Sequence, residues 1–188
     1  MAEKDIKTMA RDVQIEGKWV RALYSGGTLC DEAQRQLLPD LRTIYSNTPI
    51  KGCKPLENVY QSQKHTIVDL GDDEFTRGKA HPMIDPSLRQ EKIIAEASEA
   101  DVGMIIMDVV LGFGSHPDMA SELVSAIEKA REKLARLPVF AACICGTEDD
   151  PQNLHRQKEI LEKAGVHVFP SNISLIKFVK CCFAKGRK

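Results

Sequence analysis

The sequence has few aromatic residues, almost no net charge and no long apolar run. Only 5% of its 188 residues are aromatic, and 26 Lys and Arg stand against 27 Asp and Glu, a net charge of -1. Nucleic-acid binding relies on a basic surface and on rings that stack with bases, and nothing here supports it. No segment approaches the ~20 apolar residues of a membrane-spanning helix, and Met1 to Glu16 do not resemble a signal peptide. We therefore expect a cytoplasmic protein with no nucleic-acid or membrane partner.

Zinc-binding and thioredoxin-type motifs are missing as well. The six cysteines never occur at Cys-x-x-Cys spacing. Their positions are Cys30, Cys53, Cys143, Cys145, Cys181 and Cys182. This pattern argues against a structural zinc site or a redox dithiol. We expect no metal, and reduced, mostly buried thiols.

The sequence does contain an alternation of short β-rich runs with longer helical patterns. The predicted strands are Trp19–Tyr24, Thr66–Leu70, Val102–Leu111, Val139–Cys145 and Val166–Phe169. The third and fourth are nearly continuous apolar runs, which is typical of strands covered by helices on both faces. The predicted helices are Glu3–Gln14, Cys30–Ser46, Ser87–Ala100, Met119–Arg136, Pro151–Ala164 and Asn172–Ala184.

This alternation predicts an α/β fold. We expect a flavodoxin-like three-layer sandwich, with a five-stranded, mainly parallel sheet in the order 2-1-3-4-5 and helices on both faces. Residues 1–17 are predicted to form a peripheral helix and residues 18–188 a single domain. Two long irregular connections, 47–65 and 71–86, are of the kind that often carries function.

In such a sheet, ligands bind where the strand order reverses, here between the first and third predicted strands. The loops that follow these strands contain glycines and lead into helices, whose free N–H groups suit an anion. The candidate phosphate-binding residues are Ser25, Gly26, Gly27, Thr28, Gly112, Gly114 and Ser115. The alternative is that the glycines only make tight turns, with Thr28 and Ser115 as helix caps. Neither loop matches the Walker loop or the Gly-x-Gly-x-x-Gly fingerprint.

Polar residues follow the other predicted strands at the same edge of the sheet. These further candidates are Asp72, Asp73, Glu74, Gly146, Thr147, Glu148 and Asn172. The acidic cluster 69–74 is either a solvated loop or a group that orients a metal-bound substrate or a basic partner.

Two histidines are candidate catalytic residues. His116 precedes a predicted helix within Ser115–Asp118, which fits a capping box, and the helix dipole would keep its imidazole neutral. A neutral imidazole can attack phosphorus or accept a proton. His81, flanked by a stiff proline-containing segment, is the second candidate. The alternative for His116 is a plain first-turn residue, and Cys145 is either a buried or a reactive thiol.

Five blocks of the sequence resemble segments of the FdrA family. They are Ser25–Ala33, Asp69–Thr76, His81–Pro86, Asp108–Asp118 and Cys145–Gln152. FdrA proteins are distant relatives of succinyl-CoA synthetase and ATP-citrate lyase, so the resemblance implies the flavodoxin-like CoA-ligase module. In succinyl-CoA synthetase a phosphohistidine lies between two helix N-termini, one from each subunit. The resemblance thus places a phosphate at the two glycine loops and implies pairing of modules through the tops of their sheets.

The departures from the family pattern limit what this chain is expected to do alone. The Gly-His-Ala-Gly-Ala surroundings of the phosphohistidine are absent, and so are the CoA-binding Rossmann domain and the ATP-grasp domain. We expect a short subunit or a fragment, inactive without a partner subunit that carries the missing domains.

The resemblance leaves two kinds of enzyme open, an acid-thiol ligase and an oxamate carbamoyltransferase. Either one uses small anionic substrates, namely phosphate, carbamoyl phosphate, CoA or a nucleotide, and no tightly bound cofactor. Arg77 or Arg89 would clamp a substrate carboxylate. The alternative function is a non-catalytic assembly module of a larger complex, and a homodimer fits either function. A flavodoxin-type electron carrier is disfavoured because the flavin-stacking aromatics are missing.

Overall fold

The computed structural model describes residues 1–184, which form seven strands and seven helices. The strands are β1 (Trp19–Tyr24), β2 (Tyr45–Ser46), β3 (Lys54–Pro55), β4 (Thr66–Asp69), β5 (Val102–Val110), β6 (Val139–Cys145) and β7 (His167–Phe169). The helices are α1 (Glu3–Asp12), α2 (Gly27–Leu41), α3 (Asp73–Thr76), α4 (Ser87–Ala97), α5 (Met119–Lys133), α6 (Leu154–Lys163) and α7 (Asn172–Ala184). Residues 185–188, which the predicted domain includes, lie outside the described residues.

All strand pairs are parallel, and the sheet has the order β3-β2-β4-β1-β5-β6-β7. The five predicted strands correspond to β1, β4, β5, β6 and β7. Their spatial order is therefore the predicted 2-1-3-4-5, and the order reverses between β1 and β5. This confirms the predicted α/β sandwich and where the strand order reverses.

Two short edge strands were not predicted. Tyr45–Ser46 and Lys54–Pro55 extend the sheet beyond β4, so it has seven strands rather than five. Tyr45 and Ser46 were assigned to a helix, but α2 ends at Leu41 because Arg42 adopts a left-handed φ of 65°. Strands of two residues are too short to show the period of two that identifies a strand in sequence.

The central strands are buried on both faces, which explains their continuous apolar runs. On β1, Val20 and Ala22 belong to one core and Leu23 to the other. The first core takes side chains from α1, α2 and α7, including Ile6, Leu37 and Phe178. The second takes side chains from α4, α5 and α6, including Ile93, Leu123 and Leu161. Since Ile6 and Ala10 are 1% exposed, α1 contributes to the first core.

Helix α4 is held over β1 and β5 by two buried ion pairs. Arg21 Nε on β1 donates to Glu96 Oε2 at 2.6 Å, and the two side chains are 5% and 6% exposed. Arg89, near the start of α4, contacts Asp108 on β5. In residues 1–184, no helix is long and apolar enough to cross a membrane.

Candidate functional site

A buried carboxylate, that of Asp108, connects the carboxyl ends of β1 and β5. Ser25 follows β1 and donates from its backbone N–H to Oδ1 at 2.9 Å and from Oγ to Oδ2 at 3.0 Å. Arg89 Nη2 donates to Oδ1 at 3.0 Å and to the Asp108 carbonyl oxygen at 2.5 Å. Arg89 and Asp108 are 1% and 0% exposed, so water does not compete for these bonds. The pair fixes Ser25 at the entrance to α2.

Helix α2 begins beside this carboxylate with two glycines. Gly26 is the N-cap residue and supplies no capping side chain, while Gly27 and Thr28 are exposed. Thr28 lies inside the helix, so the alternative in which Thr28 caps it is wrong. A Cβ on Gly27 would lie 3.0 Å from Asp69 Oδ2, so a side chain at this position would be crowded. The first N–H groups of a helix lack partners within it, and here no N-cap side chain covers them.

Asp69, the last residue of β4, is the acidic group nearest to that turn. Its backbone is held by Asn47, which donates from Nδ2 to the Asp69 carbonyl and accepts the Asp69 N–H at Oδ1. The Gly71 N–H donates to Asp69 Oδ1 at 2.9 Å. Burial raises the pKa of Asp69, and the negative charges of Asp72 and Asp108 act in the same direction. This carboxylate therefore takes up a proton more readily than an ordinary aspartate.

His81 packs against Gly71, between β4 and α3. A Cβ on Gly71 would collide with His81 Nε2 and would lie 2.8 Å from the Ser25 carbonyl oxygen, so only glycine fits. Nδ1 of His81 accepts the Met83 N–H at 3.2 Å. A ring nitrogen that accepts a hydrogen bond carries no proton, so the neutral ring has its proton on Nε2. His81 thus has an N–H donor next to the end of β4.

His116 is joined to the loop that contains His81. Its backbone N–H donates to the Met83 carbonyl oxygen at 2.7 Å, and its Nδ1 accepts the Asp118 N–H at 3.1 Å. In the neutral His116 ring the proton is therefore also on Nε2. The structure brings both candidate histidines to the carboxyl edge of the sheet, on two connected loops.

Gln152 holds the loop that contains His116. Its Oε1 accepts the Gly112 N–H at 3.0 Å, and its Nε2 donates to the Gly112 carbonyl at 2.6 Å. Nε2 also lies 3.4 Å from the His116 carbonyl oxygen. Gly112 has a φ of 132°, which glycine adopts without strain. Gly114 and Ser115 follow in the same loop, where Gly114 has open space on its side-chain side.

Helix α5 is capped by its own carboxylate. The cap is Asp118, whose Oδ1 accepts the Ser121 N–H at 3.4 Å and also a bond from Gln157. Arg156 contacts Oδ2 at 2.7 Å. Burial opposes ionisation of Asp118, but bonds from Gln157 and Ser121 and the charge of Arg156 outweigh it, so its pKa is lowered. The expectation that Ser115 caps α5 is wrong, because α5 begins at Met119.

The acidic residues after β4 lie at the same edge but have local partners. Asp72 is the N-cap of α3 and accepts the Glu74 N–H at 3.0 Å. Asp73 and Glu74 are exposed in the first turn of α3. The short helix α3 gives the cluster a structural role at this turn.

The residues after β6 are exposed and form a turn. Thr147 donates from its N–H to Asp150 Oδ2 at 2.6 Å, and Glu148 pairs with His155 at 3.1 Å. Gly146 packs on Leu111, where any Cβ would clash. This segment leads to Gln152 and so supports the loop before α5.

Asn172 is buried rather than open to the edge. Its Oδ1 accepts the Tyr24 hydroxyl at 2.6 Å, and its Nδ2 donates to Glu32 Oε2 at 2.7 Å. A further bond reaches the Leu29 carbonyl. The side chain therefore ties α7 to α2 and β1.

The two arginines considered as clamps differ in exposure. Arg77, at the end of α3, is exposed. Arg89 does bind a carboxylate, but that of Asp108 within the chain, and its Nε and Nη1 are buried without a hydrogen-bond partner among residues 1–184. Burial lowers the pKa of Arg89, against the effect of Asp108.

No group of three His, Cys, Asp or Glu side chains in the described part of the chain could hold a metal ion. All six cysteines are free. Burial raises the pKa of Cys30 to about 12, which keeps it a thiol, whereas Cys145 is exposed.

Sequence reasoning assigned no individual role to three residues of this region: Asp69, which it placed only within the acidic cluster 69–74, Asp108 and Gln152. The first two had a signal, because a charged residue within or at the end of an apolar strand seldom lies there without a partner. Gln152 had none, since its importance depends on a loop forty positions earlier in the chain.

Residues 23–181 match the CoA-ligase family. The chain belongs to the CoA-ligase family. The CoA-ligase module is 37% identical over 179 residues to YahF of Escherichia coli (strain K12), a protein that is itself uncharacterised. That alignment covers 94% of this chain and 35% of YahF. The family match identifies an acyl-CoA synthetase-like module of the succinyl-CoA synthetase kind.

The fold of the CoA-ligase module also occurs in a solved structure. The crystal structure of PH0766 from Pyrococcus horikoshii OT3 superposes with a TM-score of 0.54 at 12% identity. It covers 99% of this chain and 41% of PH0766. This likeness shows the shared fold, and the chain spans less than half the length of either relative.

Proposed function

We propose that this CoA-ligase module is part of a multi-subunit, phosphate-dependent acyl-transferring enzyme of the cytoplasm. It holds phosphate, or a phosphorylated acyl or carbamoyl group, at the N-terminus of α2. The observation that carries the proposal is the start of this 15-residue helix, where Gly26 and Gly27 leave the first turn without a capping side chain. That turn lies where the strand order reverses, the usual ligand position in such sheets.

The two histidines lie on the connected loops beside this site. Each has its lone pair on Nδ1, engaged by a backbone N–H, and its proton on Nε2. This arrangement favours hydrogen bonding from Nε2–H to a ligand oxygen over nucleophilic attack. His81 and His116 are therefore proposed as neutral hydrogen-bond donors to the departing or transferred oxyanion.

Activation of the acyl group and binding of CoA or a nucleotide are assigned to a partner subunit or to further domains. The resemblance to FdrA proteins supports two versions, one acyl-CoA synthetase-like and one oxamate carbamoyltransferase-like. Phosphate chemistry at α2 is common to both.

Thermal unfolding of the purified chain tests the site. Phosphate, carbamoyl phosphate, CoA and potassium chloride are compared at matched ionic strength, for wild type and Gly27→Val. A ligand at 100 times its dissociation constant stabilises the fold by about 2.7 kcal/mol. We expect a shift with the phosphate compounds that Gly27→Val abolishes, because its side chain covers the helix start. A wild type that no phosphate compound stabilises contradicts the proposal.

A second candidate function, a non-catalytic assembly module, is favoured by an apolar surface at the same edge. The Phe113 ring is 94% exposed and Ile84 is 54% exposed. Their loops are joined through the bond from His116 to Met83. Sedimentation of wild type and Phe113→Ser distinguishes the candidates. Self-association that Phe113→Ser abolishes, without any phosphate binding, favours assembly through this surface.

A further inference from the structure

Asp69 lies beside the proposed oxyanion site. Its side chain is buried, with the residue only 9% exposed, and Oδ2 lies 3.0 Å from the position of a Gly27 Cβ. Oδ1 accepts the Gly71 N–H at 2.9 Å, whereas Oδ2 accepts no hydrogen bond from residues 1–184. One oxygen is therefore held by the protein, and the other is turned to the first turn of α2 without a partner.

The carboxylate cannot easily turn away from that position. Asn47 binds both the N–H and the carbonyl of Asp69, at 3.0 Å and 2.9 Å, and so fixes its backbone. Rotation of the side chain would break the bond from Gly71. A ligand oxygen bound to the N–H groups at the start of α2 must consequently lie beside Oδ2.

An ionised carboxylate is a hydrogen-bond acceptor only. A ligand oxygen that carries no hydrogen is also an acceptor only, so the two atoms repel each other. A phosphate oxygen that carries a hydrogen can donate it to Oδ2. Inorganic phosphate carries at least one hydrogen throughout the neutral range of pH, whereas sulfate has none to offer. A phosphate monoester has a second pKa of about 6 and carries such a hydrogen only at lower pH.

Four titratable groups face Asp69 from the surrounding elements. They are Asp72 before α3, Asp108 on β5, His81 on the following loop and Cys30 on α2. Burial and the two aspartates raise the pKa of Asp69, and the hydrogen bond from Gly71 and the charge of His81 act against them. On balance the pKa of Asp69 is raised, which favours a proton shared between Oδ2 and a ligand oxygen.

We propose that Asp69 selects an oxyanion that carries a proton, inorganic phosphate, and rejects those that carry none, such as sulfate. The selection rests on the proposed oxyanion site at α2 and adds a specificity residue to it. Sulfate binds only when Asp69 itself is protonated, so its affinity rises as the pH falls. Phosphate binds through one shared proton and keeps its affinity near neutral pH.

Isothermal titration of the full chain with potassium phosphate and potassium sulfate, at matched ionic strength and pH 7.5, tests this selection. In Asp69→Asn the amide oxygen can keep the bond from Gly71, and the amide nitrogen can donate to either anion. We expect wild type to prefer phosphate by about tenfold or more, and Asp69→Asn to lose this preference. Asp149→Asn removes one exposed negative charge from the same sheet edge and should keep the preference.

The outcomes separate this inference from the site on which it rests. If wild type and Asp69→Asn bind both anions equally, the selection is overturned and the site at α2 stands. If neither variant binds either anion, both the site and the selection are wrong. A wild type that prefers sulfate, or sulfate affinity that does not rise between pH 7.5 and pH 5.5, also overturns the selection.

Discussion

Gln152 pairs with both backbone groups of Gly112, accepting its N–H at 3.0 Å and donating to its carbonyl at 2.6 Å. An amide side chain thereby acts like a neighbouring strand for one residue. The pairing provides hydrogen bonds to Gly112 just beyond the carboxyl end of β5 at Val110. The position of the loop that carries His116 depends on this pairing.

Gln152→Ala should loosen that loop. Both Gly112 groups lose their partner, and since Gly112 is half-buried we expect a loss of about 1 kcal/mol, the lower end of the cost of an unpaired buried group. Urea unfolding measures the loss of stability, and hydrogen exchange should show faster exchange of the Gly112 amide. Gln61→Ala, at an exposed position, is the control and should change neither. Unchanged exchange at Gly112 in Gln152→Ala contradicts the role of the pairing.

Gly71→Ala should displace His81 without removing it. The added methyl would meet His81 Nε2 and the Ser25 carbonyl oxygen, and such overpacking costs about 1–3 kcal/mol. NMR of the His81 ring protons should show changed chemical shifts. Gly114→Ala adds a methyl in open space and should stay within about 0.5 kcal/mol of wild type. An unperturbed His81 signal in Gly71→Ala would falsify the packing described for this ring.

Arg89→Met should be strongly destabilising, because it leaves the buried Asp108 carboxylate without its cation. Breaking one side of a buried ion pair costs about 3–5 kcal/mol. Adding Asp108→Asn should recover part of the loss, with a coupling energy of about 0.5–3 kcal/mol in a double-mutant cycle. Arg156→Met removes an arginine that is 60% exposed in its pair with Asp118 and should cost about 1 kcal/mol or less. Additive losses in the cycle would mean that the pair is not coupled.

The pH dependence of stability should include a contribution from His167. Burial lowers the pKa of this half-buried ring, which lies 5.1 Å from Phe178. The unfolded chain therefore binds the proton more readily than the folded one, and stability falls as the pH drops through about 6.5. Urea unfolding from pH 8 to pH 5 should show a flatter curve for His167→Phe. His155→Gln, at an exposed side chain, should follow wild type.

The order of the five long strands and both faces of the sheet could be predicted because their signals are local and strong. The apolar runs 104–111 and 139–145 are typical of strands covered on both faces. They form most of β5 and β6, which lie inside the sheet between β1 and β7. The end of α2 could not be predicted, because nothing in the sequence indicates that Arg42 adopts a positive φ. Strands β2 and β3 are defined only by their neighbours.

The position of the candidate site could be predicted from the sequence, but the carboxylates that surround it could not. Glycine loops and strand order locate it at the ends of β1 and β5, and the structure brings these loops to that edge. The hydrogen-bond partners of Asp69 and Asp108 could be identified only from the assembled sheet, because these partners lie on other elements. The roles proposed for the candidate residues remain predictions.

Helix α4 contributes the cation to one of its two buried ion pairs and the anion to the other. Arg89 meets an aspartate near the helix start and Glu96 meets Arg21 near its end. A helix seated in the reverse direction would place arginine against arginine and glutamate against aspartate, in surroundings where unpaired charge is most costly. The order of charges along α4 therefore permits only one direction of this helix on the sheet. A chain that misplaced this helix while folding would have to release it before the two ion pairs could form.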